Sequence, residues 1–342
     1  MQPVPPAAVV PPPERAAAAR EIAAVLPVGS RVLLTTHVNA DGDGTGSEIA
    51  MWHLLTARGL HPAIANPTGI PARFGFLLPP GADVSHRAGR AIERADVILV
   101  LDIGDLGRLG SLGPLVAARG VPVACIDHHV SPGTLPPGPR LVAPEATATA
   151  ELVFDLATAL GWDISSDVAR ALYVGLLMDT GGFRFSNTTP RALRVAAALL
   201  ERGVDPEGVY ERVYASAPEG RVRLTAEVLT TLVVEPERGL AWVTVPAGAL
   251  ERHGATPDDL DGIAEFPRSI AGVRLALLFR PLASGRVKVS LRSMGGVDVA
   301  ELAARFGGGG HRKAAGASVD GPLAVAQARV LEVAREFLAT PS

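Results

Sequence analysis

Cysteine and aromatic residues are scarce in this sequence. It has one cysteine, Cys125, among 342 residues, and aromatic residues make up 4% of the chain. A single cysteine cannot form a disulfide within the chain, which is typical of a reducing compartment, so we expect a cytoplasmic location. Cys125 lies in the apolar run 121–126, which favours a small buried side chain over a reactive thiol.

Excess positive charge and long apolar runs are missing as well. The formal net charge is −3 and the isoelectric point is near 6.3, so no broad basic face is expected and long nucleic acid is not an expected partner. Each apolar stretch is too short, or too often interrupted by charge, to form a membrane-spanning helix. We therefore expect no membrane partner.

Aliphatic residues, by contrast, are abundant, and hydrophobic residues make up 48% of the chain. A chain of 342 residues is too long for one comfortable core, so two folded domains are expected. The Pro- and Ala-rich start has neither the basic residues nor the continuous apolar core of a signal peptide, and it reads as a disordered leader. The predicted boundaries are a leader at 1–13, a first domain at 14–204, a helical connector at 205–233 and a second domain at 234–342.

The order of apolar runs predicts the α/β class. Short runs rich in β-branched residues alternate with helical patterns in the first domain, as in a parallel sheet buried on both faces with flanking helices. Its predicted strands are 31–36, 61–65, 96–101 and 121–126, and its predicted helices are 14–26, 46–58, 147–161, 166–178 and 190–202. The second domain has strands at 240–245, 273–279 and 287–291 and helices at 257–270, 299–306 and 322–339, which indicates a smaller α+β domain.

Acidic and imidazole side chains follow several of the predicted strands. They are His37, Asp41 and Asp43 after the first strand, Asp102 after a second, and Asp127, His128 and His129 after a third. Ligands bind beyond the carboxyl ends of the strands in open α/β sheets, so these clusters are expected at one edge. A fourth candidate, Asp179, follows a helical run. Each of these clusters has a simpler explanation when taken alone: Asp41 and Asp43 could be turn residues, and Asp179 could cap the next segment. Taken together, they favour a metal centre.

The charges support the same interpretation. Asp41, Asp43, Asp102 and Asp179 would balance two divalent cations, and ions about 3.5–4 Å apart can clamp the oxygens of an in-line phosphoryl displacement. Mixed histidine and carboxylate ligands suit Mn²⁺, which is the expected metal.

Cationic side chains for a phosphate are also present. The candidates are His129 beside the metals, Arg184 after Asp179, and a set in the second domain that comprises Arg292, Ser293, Gly308, Gly309, Gly310, His311 and Arg312. Glycines let backbone N–H groups approach a phosphate, and His311 and Arg312 add charged donors. The glycine run could equally be a flexible turn, and Arg184 and Arg292 could be solvated surface residues.

These motifs resemble those of the DHH phosphoesterase superfamily. The resemblance rests on His37-x-x-x-Asp41-x-Asp43-x-x-Gly46-Ser47, Asp102, Asp127-His128-His129 and Asp179, and the run from Gly307 to Gly316 is similar to the hallmark of the DHH-associated C-terminal domain. The segments 175–188 and 289–293 are most similar to the bifunctional oligoribonuclease/pAp phosphatase (nanoRNase) branch.

The resemblance implies a role for each motif residue. One metal would be bound by His37, Asp41 and Asp102, and the other by Asp43, Asp102, His128 and Asp179, with Asp102 shared. His129 would contact the phosphate or donate a proton, and Asp127 would orient the neighbouring histidines.

The expected function is a Mn²⁺-dependent phosphoesterase. Its substrates would be 3′-phosphoadenosine 5′-phosphate (pAp) and RNA fragments of a few nucleotides, because a closing cleft and few aromatic residues disfavour a long strand. A cyclic di-AMP or pApA phosphodiesterase is an alternative enzyme, and a metal-stabilised nucleotide sensor without turnover is an alternative of another class. The oligomeric state is left open, with a homodimer among the options.

Overall fold

The computed structural model describes residues 9–82, 84, 88–130 and 133–339. For two of these residues, Ala88 and His311, it describes the backbone alone. The chain divides into two compact units, Met1–Ser216 and Ala217–Ser342. Residues 1–8 of the predicted leader lie outside the described part. Residues 9–12 precede the first helix, and the carbonyl oxygen of Val10 accepts a hydrogen bond of 2.9 Å from Arg191.

The first unit is built around a parallel sheet. Its strands are β1 (Arg31–Thr35), β2 (His61–Ile64), β3 (Val97–Leu101), β4 (Val123–Asp127) and β5 (Arg140–Val142). The strand order is β2-β1-β3-β4-β5, and each neighbouring pair is parallel. β3 and β4 are buried along their whole length, as expected for short aliphatic strands covered on both faces.

Helices cover the two faces of this sheet. They are α1 (Pro13–Ala24), α2 (Gly42–Ala57), α3 (Ala88–Arg94), α4 (Gly113–Ala118), α5 (Thr149–Ala159), α6 (Ser166–Asp179), α7 (Pro190–Leu200) and α8 (Pro206–Tyr214), with 3₁₀ segments at Ala72–Leu77 and Leu106–Leu112. On one face of the sheet, an apolar cluster joins α1, α2, α5, α6 and α7 to the strands. On the opposite face, a smaller apolar cluster includes the buried Cys125. The predicted buried position of this cysteine is confirmed.

The contact between α2 and α6 depends on glycine. A Cβ atom at Gly46 would lie 2.4 Å from the carbonyl oxygen of Ala171, and one at Gly175 would lie 2.8 Å from Asp43 Oδ1. Both distances are too short for a real side chain, so these glycines allow the two helices to approach closely. The approach brings the ends of α2 and α6, which carry Asp43 and Asp179, to the same place.

The second unit has a mixed sheet. Its strands are β6 (Val233–Glu235), β7 (Leu240–Thr244), β8 (Leu275–Pro281), β9 (Arg286–Ser293), β10 (Gly309–His311) and β11 (Ala314–Asp320), in the order β10-β11-β9-β8-β7-β6. Only the β7–β8 pair is parallel among the pairs described. The helices are α9 (Glu219–Leu229), α10 (Ala249–Arg252), α11 (Glu265–Arg268), α12 (Val299–Ala304) and α13 (Leu323–Ala339), with 3₁₀ segments at Pro236–Arg238 and Pro257–Leu260.

The predicted fold class, a parallel α/β sheet followed by a smaller α+β unit, is confirmed. The segment 205–233, expected as a connector, contains α8 and α9. In α8, the Arg212 guanidinium lies over the Phe76 ring of the first unit at 5.3 Å. In α9, Leu224 and Val228 share an apolar cluster with Val243 of the second unit. The two helices therefore belong to different units.

Several local predictions differ from the structure. The predicted helix 257–270 is a 3₁₀ segment at Pro257–Leu260 followed by the short helix α11, and β5, β6 and β11 were not predicted. The second helix begins at Gly42 and not near Gly46, because Asp41 caps it and accepts hydrogen bonds from the N–H groups of Asp43 and Gly44. The glycine run contains the edge strand β10, whose pairing with β11 depends on residues that carry no strand-like apolar pattern. Among the described residues, no helix combines the length and the apolar character that crossing a membrane requires.

Candidate metal centre and substrate residues

The carboxyl ends of three parallel strands bring the predicted metal ligands together. His37 follows β1, Asp102 follows β3, and His128 follows β4. Asp102 has a positive φ of 58°, a conformation that costs a non-glycine residue about 1–3 kcal/mol and is typical of functional sites. Its backbone N–H is held by the carbonyl oxygen of Ile126 at 3.0 Å. The turn thereby directs the Asp102 side chain towards the histidines.

The six predicted ligands form two groups that adjoin at Asp102. His37 Nε2 lies 3.8 Å from Asp41 Oδ2 and 3.7 Å from Asp102 Oδ2. His128 Nε2 lies 3.4 Å from Asp179 Oδ2, 3.6 Å from Asp102 Oδ1 and 3.8 Å from Asp43 Oδ2. The groups His37/Asp41/Asp102 and Asp43/His128/Asp179 each have ligand atoms within 4.8 Å of one another, as does the group Asp102/His128/His129.

Both ligand histidines present Nε2 to the carboxylates. The Nδ1 atom of His37 lies 2.9 Å from the carbonyl oxygen of Val38, and that of His128 lies 3.3 Å from the carbonyl oxygen of Ala146. A carbonyl oxygen only accepts, so Nδ1 carries the hydrogen and Nε2 is left as a lone-pair donor in the neutral ring. His37 Nε2 is buried and has no hydrogen-bond partner among the described residues.

The ion pairs described for Asp41, Asp43, Asp102 and Asp179 all have histidine as the partner. Burial raises the pKa of Asp43 and of Asp179 well above the usual value, and the charges of nearby aspartates add to the effect. Burial alone would lower the pKa of His128, but Asp102 and Asp43 outweigh it and raise this pKa. Two imidazole lone pairs, one of them on the orphaned buried Nε2 of His37, and four carboxylates fit a metal site, because a cation would satisfy all of them.

Asp41 differs from the other carboxylates. Burial would raise its pKa, but the contact with the His37 ring and the hydrogen bonds from the N–H groups of Gly44 and Asp43 lower it below its usual value. Its position at the start of α2 adds the favourable interaction between an anion and a helix N-terminus. Asp41 is therefore ionised and ready to bind a cation.

Asp127 and His129 form a separate pair beside the ligands. Asp127 is fully buried, and its Oδ1 lies 2.7 Å from His129 Nδ1 while its Oδ2 accepts the Gly104 N–H at 2.7 Å. Burial would raise the pKa of Asp127, but the hydrogen bond to His129 lowers it. The orienting role predicted for Asp127 would act through this hydrogen bond.

Arg108 completes this pair and was not predicted from the sequence. Its Nη1 lies 3.0 Å from His129 Nε2 and 3.2 Å from the carbonyl oxygen of Ile103. Because Asp127 holds Nδ1–H, His129 Nε2 accepts from the guanidinium. The only signal in the sequence is that Arg108 lies six residues after Asp102, in the segment that follows a buried strand.

The N-terminus of α5 supports the metal ligands from behind. The N–H groups of Thr149 and Ala150 donate to Asp43 Oδ2 and Oδ1 at 2.6 and 2.9 Å. The Thr149 hydroxyl donates to Asp102 Oδ1 at 3.0 Å. The contacts with Asp43 join residues 106 and 107 positions apart in the sequence, and the contact with Asp102 joins residues 47 positions apart.

Arg184 and several aromatic side chains lie near the Asp179 end of α6. Arg184 is exposed, and its Nε donates to the carbonyl oxygen of Gly181 at 2.6 Å. The Tyr214 hydroxyl lies 3.4 Å from Met178 Sδ, and the Tyr214 and Tyr210 rings are 5.3 Å apart. Burial raises the pKa of Tyr214, and Arg184 partly opposes this rise. These tyrosines were not predicted as site residues.

In the second unit, Arg292 and Ser293 have partners within the protein. Arg292 Nε donates to Glu265 Oε1 at 2.9 Å. Ser293 is buried, and its hydroxyl donates to the carbonyl oxygens of Val297 and Arg312 at 2.8 and 3.3 Å. Ser293 thus supports the loop that precedes α12, in place of the substrate contact predicted for it.

The glycine run has two different environments. The N–H groups of Gly307 and Gly308 donate to the last carbonyl groups of α12, so Gly308 is engaged there in place of its predicted phosphate contact. Gly309 and Gly310 lie in β10 at the edge of the sheet. Arg312 is exposed and donates to the carbonyl oxygen of Gly296 at 3.1 Å. The side chain of His311 lies outside the described part of the structure.

Comparisons with known proteins agree with this architecture. Residues 31–176 match the DHH family, N-terminal domain, and residues 240–340 match the DHHA1 domain. The bifunctional oligoribonuclease and PAP phosphatase NrnA of Thermus thermophilus is 36% identical over 327 residues, covering 93% of this chain and 94% of that protein. The Bacillus subtilis protein of the same name is 26% identical over 308 residues, covering 87% and 92%.

Solved structures share the fold over nearly the whole chain. An exopolyphosphatase-related protein from Bacteroides fragilis superposes with a TM-score of 0.87 at 29% identity, covering 94% of this chain and 96% of that one. Exonuclease RecJ bound to manganese has a TM-score of 0.56 at 21% identity, covering 98% and 97%, which shows a common fold.

The parallel sheet with its cluster at the carboxyl edge, followed by a smaller α+β unit, defines a DHH phosphoesterase. The chain belongs to the DHH family and has a DHHA1 domain in its C-terminal part. The resemblance found in the sequence motifs is confirmed, and so is the expectation of an enzyme.

Proposed function

We propose that this protein hydrolyses short oligoribonucleotides and pAp with the aid of two divalent metal ions, expected to be Mn²⁺. The observation that carries the proposal is the pair of ligand groups that meet at Asp102, where two histidine Nε2 atoms face four carboxylates. The substrates are suggested by the name of the Thermus thermophilus relative, which is 36% identical over almost its full length.

The proposed ligand assignment follows the two groups. His37, Asp41 and Asp102 would bind one ion, and Asp43, Asp102, His128 and Asp179 would bind the other. When bound, two divalent ions neutralise phosphate oxygens and activate the attacking water. The N–H groups at the start of α5 hold Asp43 in place, and the Thr149 hydroxyl holds Asp102.

We propose that His129 and Arg108 act on the phosphate and the leaving group. The Nδ1–H of His129 donates to Asp127, and its Nε2 accepts from Arg108. A phosphate oxygen that binds the Arg108 guanidinium would take this donor away from His129. Nε2 could then take a proton from solvent and transfer it to the leaving ribose oxygen as the P–O bond breaks, while the buried Asp127 stabilises the charged ring.

The substrate contacts proposed for the second unit are Arg292, Gly309, Gly310, His311 and Arg312. Arg292 can serve in this way if a phosphate competes with Glu265 for its guanidinium, since a bidentate phosphate pair is at least as favourable as the partly exposed ion pair. Arg184 is proposed as a further contact in the first unit. No membrane partner is proposed, and the cytoplasm is the proposed location.

A parallel comparison of substrates tests this proposal. Purified protein with Mn²⁺ would be offered pAp, a trinucleotide RNA, pApA, cyclic di-AMP and pyrophosphate, and the values of kcat/KM would be compared. We expect pAp and the trinucleotide to be the best substrates. A clear preference for cyclic di-AMP or pApA would favour the alternative phosphodiesterase, and binding of all the nucleotides without turnover would favour a sensor.

A further inference from the structure

One face of the sheet in the second unit carries cationic side chains that lack partners. In the antiparallel pair β8–β9, Arg280 is opposite Lys288 and Leu278 is opposite Ser290. Side chains alternate between the faces of a strand, so Arg280, Lys288 and Ser290 share one face. The other face carries the apolar core that α12 and α13 cover.

A small cavity opens on the cationic face. It has a volume of about 60 Å³ and is lined by Arg280, Lys288, Ser290 and Asp261 together with apolar side chains. Within the described part of the chain, the side chains of Arg280, Lys288 and Ser290 make no hydrogen bond or ion pair. Burial lowers the pKa of Arg280, and the nearby Asp258 offsets only part of this effect.

The neighbouring basic residues on the same face are already paired. Arg286 Nε lies 2.6 Å from Asp320 Oδ1, and Arg292 Nε lies 2.9 Å from Glu265 Oε1. From β11, Gly316 is opposite Ser290 and Ser318 is opposite Lys288. Because these residues are small, β11 leaves the middle of the face open. The cavity therefore combines open space with two unpaired positive charges and a free hydroxyl.

We propose that Arg280, Lys288 and Ser290 form a phosphate-binding site that holds a non-scissile phosphate of an oligoribonucleotide. The proposal rests on the proposed function, because it concerns the same substrates. A guanidinium binds two phosphate oxygens, an ammonium group adds a point charge, and a hydroxyl donates one more hydrogen bond. Asp261 in the lining and the nearby Asp258 carry negative charge, so the preference for a phosphate rests on the three hydrogen-bond donors and not on the net charge of the face.

The test compares substrates that differ in the number of phosphates. The dinucleoside monophosphate ApA has only the scissile phosphate, whereas a pentanucleotide has further ones. In the full-length double variant Arg280→Gln/Lys288→Gln, we expect KM for the pentanucleotide to rise about tenfold, with kcat and the hydrolysis of ApA unchanged. The dependence of pentanucleotide KM on salt should also become shallower.

Arg286→Gln is the matched control. It removes a positive charge from the same face of β9, but from a residue already paired with Asp320, so both substrates should behave as with wild-type protein. An unchanged pentanucleotide KM in the double variant would overturn the phosphate site and leave the proposed function standing. An equal loss with ApA and the pentanucleotide would also overturn it, because the effect would then not depend on a second phosphate.

If the wild-type protein hydrolyses neither substrate, the proposed function is contradicted. The phosphate site can then be tested by binding alone. Binding of a fluorescein-labelled pentanucleotide would then be measured by anisotropy. Binding that is about tenfold weaker in the double variant than in Arg286→Gln supports the phosphate site. Equal binding by the two variants overturns it.

Discussion

Glu48 is a fully buried carboxyl group behind the candidate metal centre. Its Oε2 accepts a hydrogen bond of 2.8 Å from Asn66 Nδ2, and Asn66 Oδ1 accepts the N–H of Thr36, the residue before His37. Its Oε1 has no hydrogen-bond partner among the described residues. Burial raises the pKa of Glu48 to about 8, and the hydrogen bond from Asn66 opposes the rise.

The raised pKa makes stability depend on pH in a defined direction. The folded state keeps a proton on Glu48 up to a pH near 8, whereas the unfolded chain loses it near the ordinary value of 4.5. The folded state thus binds more protons between these values, and its free energy of unfolding falls as the pH rises through this window. Below pH 4.5 both states are protonated and the penalty is absent.

We therefore predict that Glu48→Gln stabilises the metal-free protein more at pH 8 than at pH 5. A glutamine keeps an acceptor for Asn66 and removes the group that must stay protonated. The melting temperature should rise by at least about 2 °C at pH 8, which corresponds to roughly 1 kcal/mol in a chain of this size. A thermal melt at both pH values checks this, and an equal shift at pH 5 and pH 8 would show that titration of Glu48 is not the cause.

At the scale of elements, the site is formed where strand ends and helix ends meet. The carboxyl edge of the sheet was predictable, since parallel strands place His37, Asp102 and His128 on one side whatever the details of packing. The support from α5 was not predictable, because it depends on how a helix far along the chain packs against α2. Arg108 was missed for a similar reason, since its partner His129 is fixed only by the tertiary structure.

The α5 contact gives a prediction about metal affinity. Thr149→Val removes the hydroxyl that donates to Asp102 but leaves the N–H that donates to Asp43. We expect Mn²⁺ affinity to fall about tenfold or more, the usual effect of losing a group that orients a metal ligand. Thr149→Ser keeps the hydroxyl and is the matched control, with affinity close to wild type. The measurement is calorimetric titration of chelator-treated protein, and equal affinities for Thr149→Val and wild type would contradict the positioning role.

At the scale of the whole molecule, the proposed metal ligands and most of the proposed substrate contacts belong to different units. The metal ligands all precede residue 180, whereas Arg292 and the glycine run lie in the second unit. The second unit was predictable as α+β from its strands and amphipathic helices. Its edge strand β10 was not predicted, because three residues that include two glycines carry no β signal of their own.

This division predicts a separation of substrate binding from metal binding. Arg292→Gln should raise KM for pAp by about tenfold, the effect expected for the loss of one charged hydrogen-bond donor. Metal content, measured by mass spectrometry after desalting, should equal that of wild-type protein. Arg305→Gln, a change at an exposed residue just after α12, serves as the control and should alter neither quantity. A loss of metal in Arg292→Gln would contradict the assignment.

The central claim is a two-metal centre in which Asp102 contacts both ions. The most direct test is a Mn²⁺ titration of chelator-treated wild-type protein and of Asp102→Ala, with hydrolysis of pAp followed at each step. We predict that wild-type protein binds two equivalents of Mn²⁺ and reaches full activity only with the second. Asp102→Ala should bind fewer equivalents and show no hydrolysis. Full activity without metal, or near-normal turnover by Asp102→Ala, would contradict the account.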